Sequence, residues 1–295
     1  MSGETNGMRR VGPATGRIGL AGSPRRPGGE GDPGALVVEF AQHTTAGPLH
    51  ASNEDAICCW SSDGEVLFAI ADGVGGHEDG AVASATALES LLETWGAAPS
   101  PGSPLKRLRR AVERANLAVY DAGHARMRST LTVSVIGPRM VTTAHVGDCR
   151  LLLFRDGTLR QLTADHNLAA RSAQYGLPSA TELPDDPGRR LLTRALGQDP
   201  YLRIDTLSLT LQPGDRYVQC SDGLATLSGA QIIRILVHHA PIAAAELLIQ
   251  HARESGGRDD MSVQVMFVSS PVVGQMSAWS GRDLQQSRVP GGGGP

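Results

Sequence analysis

The chain is predicted to fold as an α+β domain, with strands and helices segregated into layers. Three observations predict it. Short apolar runs recur between Leu36 and Val268, most of them β-branched and bounded by Gly, Asp or Pro, as strands are. Four longer stretches have helical character and come as one early and one late pair. No regular strand–helix alternation links them, which argues against a doubly wound parallel sheet.

In chain order, the first 35 residues contain Pro13, Pro24, Pro27 and Pro33, many glycines and five arginines, with almost no apolar periodicity. Such a composition does not repay the entropy of ordering, so residues 1–35 are expected to form a disordered tail. Leu36–Phe40, Ala56–Trp60 and Val66–Ala71 read as strands, and Gly80–Trp95 and Pro104–Ala122 as the first helix pair. Strands follow at Leu131–Ile136, Val141–His145 and Leu151–Phe154. The polar, Pro- and Gly-containing stretch from His166 to Leu191 reads as a long surface loop. Tyr217–Cys220 is the next strand, Gly229–His239 and Ile242–Glu254 the second helix pair, and Ser262–Val268 the last strand. Strand pattern is then lost, and the chain finishes Pro290-Gly-Gly-Gly-Gly-Pro295, so residues 270–295 are expected to be a flexible tail and 36–269 a single domain.

A length of 295 residues with 40% hydrophobic content is ample for one substantial core. Against 27 basic residues stand 30 acidic ones, a net charge of -3 that favours neither nucleic acid nor an anionic membrane as partner. No apolar run approaches the roughly 18–20 residues needed to span a bilayer. Met1–Gly22 lacks the basic-then-apolar order of a secretory signal, so a cytoplasmic location is expected. Cys58, Cys59, Cys149 and Cys220 show neither zinc-site spacing nor scaffold density, and reduced, mostly buried thiols are expected.

The most informative pattern is where the aspartates fall. Asp55 opens one strand-like run, Asp72 closes another, Asp148 and Asp222 follow two more, and Asp259 with Asp260 precedes the last. A carboxylate beside a buried strand is costly to desolvate unless something pairs with it. Turn chemistry accounts for any one of them; five converging on one sheet rim point to a shared cation. Carboxylate oxygens without a His or Cys cluster favour a hard ion, Mg²⁺ or Mn²⁺. After Asp72, the run Gly73-Val74-Gly75-Gly76-His77 allows a backbone carbonyl to approach such an ion and the chain to turn tightly into a helix. By itself that turn could equally cradle a phosphate.

Seven segments carry a resemblance: Asn53-Glu54-Asp55, Ala71 to His77, Val146 to Arg150, Leu162 to His166, Leu192 to Gly197, Cys220 to Leu224, and Asp259 to Val263. In order and rough spacing they resemble the metal-dependent protein phosphatases of the type 2C, or PPM, family, over about Leu36–Val268. The resemblance implies a four-layer αββα sandwich, two antiparallel sheets flanked by helix pairs, with two Mn²⁺ or Mg²⁺ ions at one end. It casts Asp72 as the bridging carboxylate, the Gly73 carbonyl as a ligand of one ion, and Asp222 and Asp259 as ligands of the other. Asp55 and Glu54 are then placed to hold metal-bound waters or touch a metal, and Asp148 to belong to a third, weaker site. The implied reaction is hydrolysis of phosphoserine and phosphothreonine by in-line attack of a metal-bound hydroxide, without a phosphoenzyme. Phosphorylated proteins are the implied partners, opposed by a serine/threonine kinase, and the stretch after His166 corresponds to the family's flap.

The chain departs from the family pattern at four positions. His50 stands where an arginine usually holds substrate phosphate, and a neutral imidazole is the poorer partner. Thr226 replaces a common aspartate, leaving Asp148 without its usual co-ligand for a third ion. Arg128 replaces a common glycine, and Asp260 a common asparagine. The first two departures favour an alternative function, a catalytically weak phosphoprotein-binding scaffold, against which the intact Asp55, Asp72, Asp222 and Asp259 argue.

Other features read as structural. Cys149 and Arg155 fit the C-x5-R spacing of cysteine phosphatases, but the residues between them read as a strand whose amides belong to a ladder. His77 suits a general acid or a helix start equally. His145 reads as a core histidine and His238-His239 as a helix end. Arg107, Arg109 and Arg110 read as a solvated helix face.

Overall fold

The computed structural model describes residues 15–20, 36–48, 50–62, 64–74, 78–97, 103–124, 126–175 and 191–270. They form two antiparallel sheets packed face to face, each covered by a helix pair. The first sheet has the order β1 (Thr15–Leu20), β2 (Leu36–Thr45), β12 (Met261–Ser269), β11 (Arg216–Cys220), β8 (Arg150–Arg155), β9 (Thr158–Gln161). The second runs β10 (Asp205–Thr210), β7 (Met140–Val146), β6 (Leu131–Ile136), β4 (Glu65–Val74), β3 (Asp55–Ser62), and the two-residue β5 (Arg128–Ser129) pairs with the end of β4. Helices α1 (Glu78–Gly96) and α2 (Pro104–Gly123) cover the second sheet; α4 (Gly229–His238) and α5 (Pro241–Glu254) cover the first.

Alternation explains why so many strands are buried on both faces. Along β12, Val263 and Val265 pack under α5 while Met266 and Val268 enter the space between the sheets. That space is filled by Phe40, Phe68, Leu153 and Tyr217, with Phe40 and Phe68 edge to face at 5.0 Å. The helices obey the 3.6-residue period. Leu108, Ala111, Val112, Ala115 and Val119 form the buried stripe of α2, which starts at a Ser103 cap with Pro104 in its first turn. A capping box of Ser228 and Gln231 starts α4.

A polar seam also crosses the sandwich. Gln219 Nε2 donates to Gln264 Oε1 (3.0 Å) and to the Thr132 carbonyl (3.0 Å), and its Oε1 accepts from Ser134 Oγ (2.7 Å). Gln264 Nε2 in turn donates to Gln42 Oε1 and to the Cys58 carbonyl, both at 2.8 Å. Buried amides are thereby satisfied across two sheets.

Three sequence expectations are corrected. Thr15–Leu20, inside the segment expected to be disordered, is a strand paired with β2: Ile18 and Leu20 alternate inward, and Gly16 sits so close to the Phe40 ring that a Cβ would come within 2.5 Å of Cζ. The stretch after His166 contains a short helix, α3 (Leu168–Gln174), capped by Asn167; residues 176–190 of the expected flap lie outside the described residues. Arg107 is not a solvated side chain. It pairs with Glu65 at 3.0 Å and stacks 3.9 Å above the Trp95 ring, because its position on α2 faces the sheet edge. Among the described residues no helix is long and apolar enough to cross a membrane.

Candidate metal centre

The carboxylates meet at one end of the sandwich because strand registers bring them there. Asp55, the first residue of β3, lies opposite Asp72 of β4. Asp72 is fixed through its backbone: its N–H donates to Thr130 Oγ1 (2.9 Å), and its carbonyl accepts from Thr130 N (2.8 Å) and Ser129 Oγ (3.1 Å). Asp148 follows β7 through Gly147, whose φ of +104° suits glycine and whose missing Cβ leaves room for Thr130. Asp222 opens a one-turn 3-10 helix, Asp222–Leu224, directly after β11.

One carboxylate oxygen from each of Asp72, Asp148 and Asp222 lies within 4.8 Å of the others. Asp55 is buried beside them, its Oδ2 accepting from Ser221 Oγ at 2.8 Å. Burial pushes the Asp55 carboxyl up to about 7 and that of Asp148 to about 6. Burial and then the neighbouring aspartates raise Asp72 and Asp222 well above the ordinary carboxylate range. These are carboxylates in want of a cation. The donor set is all hard oxygen, with no His or Cys among the clustered ligand atoms, and it fits Mg²⁺ or Mn²⁺.

Backbone approaches shape the rest. A Cβ on Gly73 would collide with the Gly80 carbonyl, and one on Gly80 with the Glu54 carboxylate, so the end of β4, the first turn of α1 and Glu54 are in direct contact. Gly73 N donates to the Glu54 carbonyl at 3.2 Å, and Ser84 Oγ to the same oxygen at 2.6 Å.

Not every expected residue joins the cluster. Asp259 is 57% exposed, its Oδ1 accepting from the N–H of Asp260 (2.9 Å), and it stands outside the group of three. Asp148, expected to belong to a third, weaker site, lies with its carboxylate within 4.8 Å of those of Asp72 and Asp222 and is held by Asn167 Nδ2 at 3.2 Å. Thr226 turns away, donating to the Ala252 carbonyl of α5. His50 does not stand free for a phosphate: its Nδ1 lies 3.0 Å from Asp260 Oδ1 and 3.8 Å from Asp259 Oδ1. His77 lies outside the described residues.

Asp260 is the residue whose importance the sequence hid. Buried, it accepts from Gly47 N (2.7 Å), Glu54 N (2.6 Å) and His50, tying the loop after β2 to the start of β12. Its signal was the coincidence of two departures, His50 and Asp260, that are in fact partners. The C-x5-R alternative is excluded. Cys149 is fully buried with its thiol raised by desolvation, and Arg155 is bound to Asp215 at 2.6 Å. His145 is a core residue whose burial lowers it to about 4. A cavity of about 380 Å³ lined by Thr143, His145, Ala164 and Asp205, among others, contains none of the clustered carboxylates.

Comparison with known proteins agrees with this geometry. Residues 46–261 match the model of the family described as protein phosphatase 2C. The chain is 33% identical over 246 residues to the serine/threonine protein phosphatase PstP of Mycobacterium tuberculosis, covering 81% of this chain and 47% of that protein. It thus spans about half the length of that relative. It is 28% identical to the protein phosphatase PhpP of Streptococcus pneumoniae, covering 78% of this chain and 97% of PhpP. A crystal structure of the catalytic domain of PstP in complex with two manganese ions superposes with a TM-score of 0.70 at 30% identity, covering 79% of this chain and 99% of that one. With a family match across most of its length and the carboxylate rim in place, the chain belongs to the protein phosphatase 2C family.

Proposed function

We propose that the protein is a metal-dependent protein serine/threonine phosphatase, acting on phosphoserine and phosphothreonine. The convergence of Asp72, Asp148 and Asp222 beside buried Asp55 carries the reading. Asp72, Asp222 and Asp259, with the Gly73 carbonyl, would hold two Mn²⁺ or Mg²⁺ ions, and Asp148 extends the same set. When bound, such ions neutralise charge on a transferring phosphoryl group and acidify water. The chain's own residues supply the frame. Ser221 fixes the Asp55 carboxylate, Asp260 fixes the backbone at Glu54, and the Gly73–Gly80 contact leaves no room for the metal-facing backbone to drift. The substrates are phosphoproteins, with a serine/threonine kinase supplying the phosphate. The four free thiols suit a cytoplasmic setting.

The test is hydrolysis of a phosphothreonine peptide with Mn²⁺, with EDTA, and by Asp222→Asn. Turnover that requires metal and is lost in the variant supports the enzyme. The engagement of His50 by Asp260 favours a second reading, a phosphoprotein-binding scaffold. Metal binding without turnover would select it.

A further inference from the structure

With His50 held by Asp260, the rim lacks the cation that would meet a substrate phosphate from position 50. Two nearby arginines are also committed. Arg150 makes a bidentate pair with Asp165, and Arg194 binds Asp205 at 2.7 Å. Arg128 is different. It is exposed, and among the described residues its side chain makes no ion pair or hydrogen bond.

Its position follows from strand register. On the β4–β5 pair Val74 lies opposite Arg128, and on β3–β4 Asp55 lies opposite Asp72. Opposed residues on antiparallel strands share a face, as do alternate residues along one strand. Arg128, Val74, Asp72 and Asp55 therefore project from one face of the second sheet, the face that carries the carboxylate rim. Arg128 and Asp72 are diagonal neighbours, a separation of about 7–8 Å that long side chains span. Val74, opposite Arg128, is itself exposed.

We propose that Arg128 anchors the substrate phosphate, taking over the task that position 50 has given up. The assignment rests on the phosphatase reading and makes Arg128 a determinant of phosphopeptide affinity. A guanidinium there meets two phosphate oxygens in bidentate fashion while the reacting group faces the carboxylates. Arg258, exposed and next to Asp259 but placed on the face by no strand pairing, is the natural comparison.

The experiment uses the Mn²⁺-loaded protein and a fluorescent phosphothreonine peptide, measured both by steady-state hydrolysis and by anisotropy. Arg128→Ala is expected to raise KM and Kd by about tenfold or more with kcat within about threefold, the effect of losing one charge-assisted contact. Arg128→Lys should recover part of the loss, and Arg258→Ala should change KM by less than about twofold. Unphosphorylated peptide should bind Arg128→Ala and the parent alike. Unchanged KM and Kd in Arg128→Ala, with Asp222→Asn inactive, would overturn the assignment and leave the phosphatase reading intact. A loss carried by Arg258→Ala instead would overturn it equally. If the parent shows no turnover, the phosphatase reading fails and anisotropy alone decides: weakened binding by Arg128→Ala supports the anchor, and unchanged binding refutes it.

Discussion

Replacing Asp55 by asparagine is expected to stabilise the metal-free protein at neutral pH while impairing it as a metal binder. Asp55 is held at about 7, against 3.8 for an unperturbed carboxyl, chiefly by burial. The sign follows from proton linkage. Well below pH 3.8 the carboxyl is neutral folded and unfolded, and it costs nothing. As pH rises from 3.8 towards 7 the unfolded chain ionises while the folded one resists, so stability falls through that window. By pH 7 the loss approaches roughly 4 kcal/mol as an upper bound. Asparagine mimics the neutral carboxyl and keeps an acceptor for Ser221, but its extra donors cost about 1 kcal/mol where they lack partners. The net gain is about 2–3 kcal/mol, or roughly 5–10 °C in Tm for a domain of this size. The assay is thermal and urea unfolding in EDTA at pH 4 and pH 7, repeated with Mn²⁺. Mn²⁺ should raise Tm more in the parent than in Asp55→Asn. A variant less stable than the parent in EDTA at pH 7 would refute the claim that this rim is electrostatically strained without its cations.

Two further predictions concern the frame. Gln219→Leu removes the central member of the polar seam and strands Gln264 Oε1, so urea unfolding should show a loss of about 2–4 kcal/mol; a loss under about 1 kcal/mol would mean the seam is dispensable. Gly73→Ala drives a methyl into the Gly80 carbonyl, which should cost about 1–3 kcal/mol and lower metal-dependent turnover at least tenfold. Val74→Ala, one residue on and exposed, should do neither in the same assays.

Legibility followed burial. Strands such as Val66–Ala71 and Leu131–Ile136 were readable because both faces are buried, leaving an apolar run between turn residues. The helix pairs were readable from period alone, to within about two residues. β10 was missed although Leu207 and Leu209 alternate, because one face is solvated and the run is half polar. β1 was hidden by its surroundings: only Ile18 and Leu20 carry its pattern, amid prolines and glycines. At the site, the clustering of Asp72, Asp148 and Asp222 was legible from their place at strand ends. What could not be read was pairing between loops. His50 and Asp260 are 210 residues apart, and each looked like an isolated departure until the fold set them 3.0 Å from one another.

The order of strands in the first sheet also governs how the chain can be made. β12 lies between β2 and β11, so the last-made of the described strands in this sheet occupies its middle. Until it arrives, β2 and β11 each present an unpaired edge, the kind of surface that recruits other chains. Asp259 and Asp260 emerge with that same strand, and Asp260 helps tie down the loop that carries His50 and Glu54. A nascent chain therefore cannot complete its rim of carboxylates before synthesis has passed β12, and pairings this distant close slowly. Activity and protection from aggregation would then be gained in one late event.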